Sequence, residues 1–356
     1  MSQIKAQIVA DSKNPQGDRL TTMLITFPRF ILAELNTHRM LSKNSASSRA
    51  IPFKKMVESV QNNPFIPIAW QKEHKGMQGD EYFFGDNRII EEQWLEGRDA
   101  AIQIAERLNK GGITKQLCNR LLEPFMMHTV LISGTEWENF FALRCPQYEI
   151  AGKIYRSKKD VYKDYPLHSV SGILEPDDYN WFKLNKGQAE IHMMALAEAM
   201  WDAMNESIPK ELKAGEWHIP FNEHIDKNVF TDTFNIGENK ITWVPIPGID
   251  NGADNWRNLQ KVKISTAMAA RTSYTVVGDE KEFTYEQQIA LHDRMANQVP
   301  FHASPFEHCA KAMDENEYMC CTKTRYNPEK DSDHDIESGW CRNYRGFIQY
   351  REILEN

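Results

Sequence analysis

Residues 19–40, RLTTMLITFPRFILAELNTHRM, constrain the fold more than any other stretch of this chain. Thr21 to Phe27 is a β-branched and apolar run, the composition of a buried strand. Pro28 can open a first helical turn, where its missing N–H costs nothing. Phe30, Ile31, Leu32 and Leu35 then supply an apolar stripe. A strand that passes directly into a helix must bury both against a common core. The expected class is α+β, a mixed sheet with helices packed on it.

The rest of the chain extends that reading. ITKQLCNRLLEPFMMHTVLISGTEWENFFALR predicts a helix, a stop near Pro124, a strand over Thr129 to Ser133 and a second helix from about Glu136. Residues 53–110 mix helical stretches with loops. GQAEIHMMALAEAMWDAM is rich in the best helix formers. VKISTAMAARTSY and YEQQIALHDRMANQ predict further helices, and EYMCCTKTRY with GFIQYREIL predicts a last strand pair. Residues 205–258, heavy in Gly, Pro, Asn and Trp, read mostly as loop. Residues 146–186 are rich in Lys, Asp and Tyr and weakly periodic, which suggests an inserted, lid-like segment within one principal domain spanning 1–356.

With 356 residues and 41% hydrophobic content, the chain can bury a sizeable core. Its net charge of −8 argues against bulk binding of nucleic acid, though not against one small basic pocket. No apolar run reaches membrane-span length, and the N-terminal residues lack the apolar centre of a secretion signal. The six cysteines show no CxxC spacing, so reduced thiols in a cytoplasm are expected.

Chemistry concentrates in THRMLSKNSASSR, residues 37–49. Hydroxyls at Ser42, Ser45, Ser47 and Ser48, with the guanidinium of Arg49, are the makings of an anion cradle. A capped helix end followed by a solvated loop accounts equally well for the composition. Asn139 and Arg144 stand five residues apart, about 140° around a helix, and could line one cleft from different angles. Surface positions are the plain alternative for both, as for Arg120. Glu307 and His308 follow a Pro in ASPFEH; His308 is a candidate acid–base, although a lone His is more often structural. Metal binding is poorly supported: His334 with Asp331, Asp333 and Asp335 forms a charged loop without ligand geometry, and adjacent Cys320 and Cys321 suit buried strand packing better than zinc. Cys145 has no evident His partner for a nucleophilic role.

Taken together, these segments resemble the flavin-dependent thymidylate synthases, whose signature is RHRxxSxNExSxR. This chain matches at His38, Arg39, Ser42, Asn44, Ser47 and Arg49, and departs at Thr37 and Ser45, where the family has Arg and Glu. SGTEWENFFALR resembles a second block, matching at Asn139 and Arg144, with Ser133 and Thr135 replacing Asn and Arg. GQAEI, residues 187–191, resembles a third, and Arg120 a fourth. RTSY (271–274) and SPFEH (304–308) follow the signature here but precede it in the common form. The block order thus resembles a circular permutation, as in the longer, often phage-encoded members.

The resemblance implies methylation of dUMP to dTMP, with methylenetetrahydrofolate as carbon donor, FAD as hydride carrier, NADPH as reductant, and a homotetramer. It implies that His38, Arg39 and Asn139 meet FAD, with the departing Thr37 and Ser45 in the same set. Ser45, Ser47, Ser48, Arg49 and Arg120 would hold the nucleotide, Arg144 would face the pyrimidine, and His308 would lie beside the flavin. Loss of cationic and amide contacts at Thr37, Ser133 and Thr135 leads us to expect weaker FAD binding. A deoxynucleotide hydroxymethylase acting on dUMP or dCMP, and a catalytically silent nucleotide- or flavin-binding homologue, are the rival expectations.

Overall fold

A computed structural model describes residues 4–75, 79, 81–165, 180–225, 233–236, 239–242, 253–272, 283–326 and 334–355. Its centre is a five-stranded sheet. Strands β1 (Lys5–Lys13), β2 (Arg19–Pro28), β3 (Ser42–Ser45) and β4 (Met127–Gly134) stand in the order β3-β4-β2-β1, with Lys210–Glu211 beyond β1. Neighbours among β1–β4 are antiparallel, and Lys210–Glu211 joins β1 in parallel, so the sheet is mixed and the chain α+β.

Side chains alternate across β2 and β4, and both faces are buried. Met23, Ile25 and Phe27 share one face with Val130 and Ile132, since Met23 pairs with Ile132 and Ile25 with Val130. This face packs on Met193, Leu196, Ala197 and Met200 of the Ile191–Glu206 helix. Each such fully buried side chain contributes about 1.5–3 kcal/mol. Leu24 and Leu131 point the other way, into a cluster with Phe221 and Ala269. Ala269 belongs to the Ala253–Arg271 helix. The apolar run in β2 is therefore continuous because both faces are packed, with Leu24 and Thr26 only partly buried.

Several expectations meet their elements. The strand expected over Thr21–Phe27 is β2, and that over Thr129–Ser133 is β4. The helix expected from Glu136 runs Glu138–Arg144 and stops where Pro146 forces Cys145 into an extended conformation. Helices at Ile191–Glu206 and Tyr285–Ala296 lie where the sequence put them, whereas the helix expected from Val262 begins earlier, at Ala253, within the stretch read mostly as loop.

Others need correction. Pro28 ends β2 rather than opening a long helix; only a single turn, Arg29–Ile31, and the short Leu32–Asn36 helix follow. The expected final strand pair does not form. Glu315–Cys320 is helical behind a capping box from Asp314, and Thr322–Tyr326 pairs with His334–Ser338. Phe347–Gln349 pairs with Ala310–Ala312, after which Tyr350–Glu355 turns helical. Cys320 and Cys321 accordingly lie at a helix end, Cys320 exposed, and not in buried strand packing.

Within 146–186, the described residues form a hairpin (Tyr148–Ile150 with Lys153–Tyr155) and helices at Lys158–Asp164 and Asn180–Leu184. Tyr148, Tyr155, Val161 and Trp181 make a small core of their own. Tyr148 Oη donates to Glu198 on the Ile191–Glu206 helix at 3.3 Å, and Lys158 N donates to the same carboxylate at 2.7 Å. Among the described residues no helix is long and apolar enough to cross a membrane.

Candidate functional site

The Leu32–Asn36 helix delivers Thr37–Leu41 to the C-terminal end of the Glu138–Arg144 helix, and a cleft of about 490 Å³ opens between them. Thr37, His38, Arg39, Asn139 and Arg144 all line it. A spacing of five positions along the helix thus lets Asn139 and Arg144 both line one cleft. Leu41, Phe140 and Leu143 add apolar surface.

Arg144 is held in place by three neighbours. Its Nε donates to His38 Nε2 at 3.0 Å, Nη1 stands 3.5 Å from Glu34 Oε2, and Nη2 lies 3.4 Å from Thr37 Oγ1. A guanidinium can only donate, so His38 Nε2 accepts and the neutral ring carries its proton on Nδ1. Burial, then the charges of Arg144 and Lys43, bring the His38 pKa down to about 4. His38 is therefore a neutral hydrogen-bonding group at physiological pH. Lys43 Nζ donates to the His38 carbonyl at 2.5 Å, and burial lowers its own pKa to about 8 against the opposing pull of Glu307. Burial also raises the Glu34 carboxyl, with Glu190 adding to it and Arg144 opposing.

The second half of the loop lies elsewhere. Ser45 Oγ sits 2.7 Å from His128 Nε2, to which Arg29 Nη1 donates at 2.8 Å. His128 is buried, and its pKa falls to about 3 by burial and then by Arg29. Ser48 Oγ donates to Glu123 Oε1 at 2.5 Å, and Arg29 Nη2 stands 3.6 Å from the same carboxylate. Asn119 Nδ2 fixes the loop by donating to the carbonyls of Ser48 (2.6 Å) and Ile51 (3.0 Å). Arg120 is exposed, near enough for its charge to press on Arg29. Ser47 is half-buried and Arg49 exposed at the loop's end. The structure thus brings Ser45, Ser48 and Arg120 into one neighbourhood. It corrects the picture of free hydroxyls, because Ser48 is committed to a carboxylate and Ser45 to a buried imidazole. None of Ser45, Ser47, Ser48, Arg49 and Arg120 lines the cleft of His38 and Arg144.

His308, expected beside a flavin, is fully buried and does not line the cleft. It ends a buried polar chain: Ser12 Oγ to His218 Nδ1 (2.9 Å), His218 Nε2 to Thr22 Oγ1 (2.8 Å), Thr22 to Ser133 Oγ (2.7 Å), and Ser133 to His308 Nδ1 (2.8 Å). Burial, and then His218, hold the His308 pKa at about 3. Thr22 and Ser133 supply the two hydroxyls that join the imidazoles.

Segments far apart in sequence meet at Asn44. Its Nδ2 donates to the Ala269 carbonyl and, at 3.0 Å, to Thr272 Oγ1, while Oδ1 accepts from Ser304 Oγ at 3.0 Å. The signature loop, the start of RTSY and the start of SPFEH therefore share one side chain. Ser273 and Tyr274 lie outside the described residues, as do Asp331 and Asp333 and the side chains of His334 and Asp335. Among the described residues no group of three or more His, Cys, Asp or Glu could hold a metal ion.

Sequence reasoning missed Glu34, Arg29, Asn119, Glu123 and His128. None sits in a recognisable motif, and only the fold brings them to the loop. It also missed the contribution of residues 323–340: Lys323, Glu337 and Trp340, with Glu136, complete the cleft wall.

No protein-family model matches the chain, and no curated protein matches it. Among solved structures it is similar to a UMP/dUMP methylase, PolB from Streptomyces cacaoi. Against PolB bound with 5-Br dUMP the identity is 14% and the TM-score 0.34, covering 46% of this chain and 87% of that one. Against PolB bound with 5-Br UMP they are 15% and 0.37, covering 58% and 90%. Likenesses this slight carry no argument about function.

Proposed function

We propose that this chain is a flavin-dependent thymidylate synthase that methylates dUMP with methylenetetrahydrofolate, using FAD and NADPH. The observation that carries the reading is the convergence of His38, Arg39, Asn139 and Arg144 on one cleft. The donor set suits a planar, anion-bearing cofactor: guanidinium and amide donors at the rim, and Leu41, Phe140 and Leu143 for an apolar ring face. Arg39 and Asn139 would hold the flavin, with His38 beside them as a neutral donor through Nδ1.

FAD, when bound and reduced by NADPH, supplies the hydride that completes the methyl group. The protein's own residues position and polarise. Arg144 is oriented before substrate arrives by Glu34, His38 and Thr37. A fixed cation beside a pyrimidine stabilises negative charge that grows on the ring, an interaction stronger in the transition state than in the ground state. The same partners keep Arg144 from losing side-chain entropy at that moment. No thiol is required of the protein, and burial pushes the Cys145 thiol pKa far up, which disfavours its thiolate.

The test is a product mass. The protein is incubated with dUMP, methylenetetrahydrofolate, FAD and NADPH, and the nucleotide is weighed. A methyl gain supports the synthase. A hydroxymethyl gain replaces it with a hydroxymethylase, and protein that binds nucleotide and flavin without product is a silent homologue.

A further inference from the structure

Trp340 is presented to the cleft as a fixed plane. Its backbone N donates to the Cys321 carbonyl at 3.0 Å, and Trp340–Cys341 pairs with Tyr344–Arg345. Its indole Nε1 donates to Glu337 Oε2 at 3.0 Å. With that donor engaged, the side chain has only its two π faces to offer, one of them covered by Lys323 Nζ. Lys323 Nζ stands 4.4 Å from the ring centroid and 3.9 Å from Met40 Sδ, so the lysine reaches from the C-terminal hairpin towards the THRML loop. Leu41, Phe140 and Leu143 line the same cleft, as do Arg39, Arg144 and the carboxylates Glu136 and Glu337. The combination is an aromatic plane, apolar surface and three cations beside two carboxylates, in a volume within the range of small-molecule sites.

We infer that Trp340 is a stacking platform for a planar, anion-bearing ring system, of which a flavin nucleotide is the class this cleft fits, and that Lys323 takes part of its negative charge. This rests on the flavin reading above and adds two residues that lie outside every motif carrying that reading. A ring stacked on an immobilised indole gains contact without ordering the platform. A lysine already poised at the mouth needs only a rotamer change to meet a phosphate.

The test is isothermal titration of the full chain, stripped of flavin, with FAD. Trp340→Ala weakens FAD binding by roughly tenfold or more, the scale of aromatic stacking on a base, while Trp340→Phe stays within about threefold of wild type. Lys323→Met weakens binding several-fold and flattens its dependence on salt. Circular dichroism checks folding; should Trp340→Ala fail to fold, Trp340→Leu and the exposed Lys323→Met decide. Wild type and Trp340→Ala binding FAD equally well overturns the assignment of Trp340 and leaves the flavin reading standing. A wild-type chain that takes up no FAD overturns that reading and this inference together.

Discussion

Lowering the pH from 7.5 to 5.0 removes stability from this fold through three imidazoles that it keeps neutral. His128, His218 and His308 are buried, and each has a pKa of about 3 against an ordinary value of 6.5. Burial is the leading cause in all three. A histidine whose folded pKa lies below its unfolded value contributes stability that is present above the unfolded pKa and is lost as pH falls towards the folded one. The window is therefore pH 6.5 down to about 3. From linkage, each group costs about 1.4 kcal/mol at pH 5.5 and about 2 kcal/mol at pH 5.0. Three together cost about 4 and about 6 kcal/mol, a large part of the roughly 5–15 kcal/mol that holds a typical domain together. Glu198 and Asp202 act in the opposite sense, because burial raises their carboxyl pKa values and the folded state then gains protons as pH falls. A comparison of variants isolates the histidine share. Urea unfolding followed by circular dichroism is measured at pH 7.5, 6.5, 5.5 and 5.0 for wild type and His218→Gln. Whatever the replacement costs at pH 7.5, the slope of stability against pH between 5.5 and 5.0 must fall by about one proton, roughly 1.4 kcal/mol per pH unit. Parallel slopes for the two proteins would refute the claim that the buried imidazole is neutral.

Three further outcomes follow from particular contacts. Arg144→Ala lowers the proposed methylation of dUMP by at least about a hundredfold while leaving the circular dichroism spectrum and urea midpoint nearly unchanged, since the residue is only half-buried; near-wild-type turnover would remove Arg144 from the proposed mechanism. Gly346→Ala destabilises by about 2–4 kcal/mol, because φ is +75° and a Cβ would stand 1.9 Å from Asn14 Nδ2, which is held by Gly346 O and Asp18; a shift below 1 kcal/mol in urea titration, on the scale of an ordinary surface change, contradicts it. In native protein at pH 8, a colorimetric thiol reagent modifies Cys320 quickly and Cys321 more slowly, while buried Cys118, Cys145, Cys309 and Cys341 stay silent until denaturant is added; four fast thiols would contradict the described packing.

Local pattern was a good guide wherever one element's own side chains decided its state. β2 and β4 are legible as continuous β-branched and apolar runs, and Ile191–Glu206 as a run of strong helix formers. β1 was less so, because Lys5, Gln7 and Asp11 dilute its signal and its place comes from pairing with β2. EYMCCTKTRY, residues 317–326, reads as a strand from its Tyr, Met and Cys, yet the capping box of Asp314 and Glu317 makes Glu315–Cys320 a helix. The cleft was half legible. His38, Arg39, Asn139 and Arg144 stood out as polar groups in distinct motifs, whereas Glu34 and Trp340 depend on which surfaces the fold brings face to face. The burial of His308 is not legible for the same reason: a sequence shows that a histidine follows Ser-Pro-Phe-Glu, but not that Ser133, itself joined to Thr22, will meet its ring.

The cleft wall joins Arg39 to Trp340, 301 residues further along the chain. During synthesis at about 5–20 residues per second, some 15–60 seconds separate the emergence of the two. For that interval the THRML loop, and for the later part of it the Glu138–Arg144 helix, lack their third wall. β1, β2 and β4, which pair within the first 134 residues, can already be assembled. The nascent protein therefore has the strands of its sheet long before it has its cleft, and the residues beyond 338 bring both the indole plane and the Tyr344 and Phe347 side chains that pack on Leu20 of β2. Completion of the cleft is thereby a late event in synthesis, set by the distance between Arg39 and Trp340.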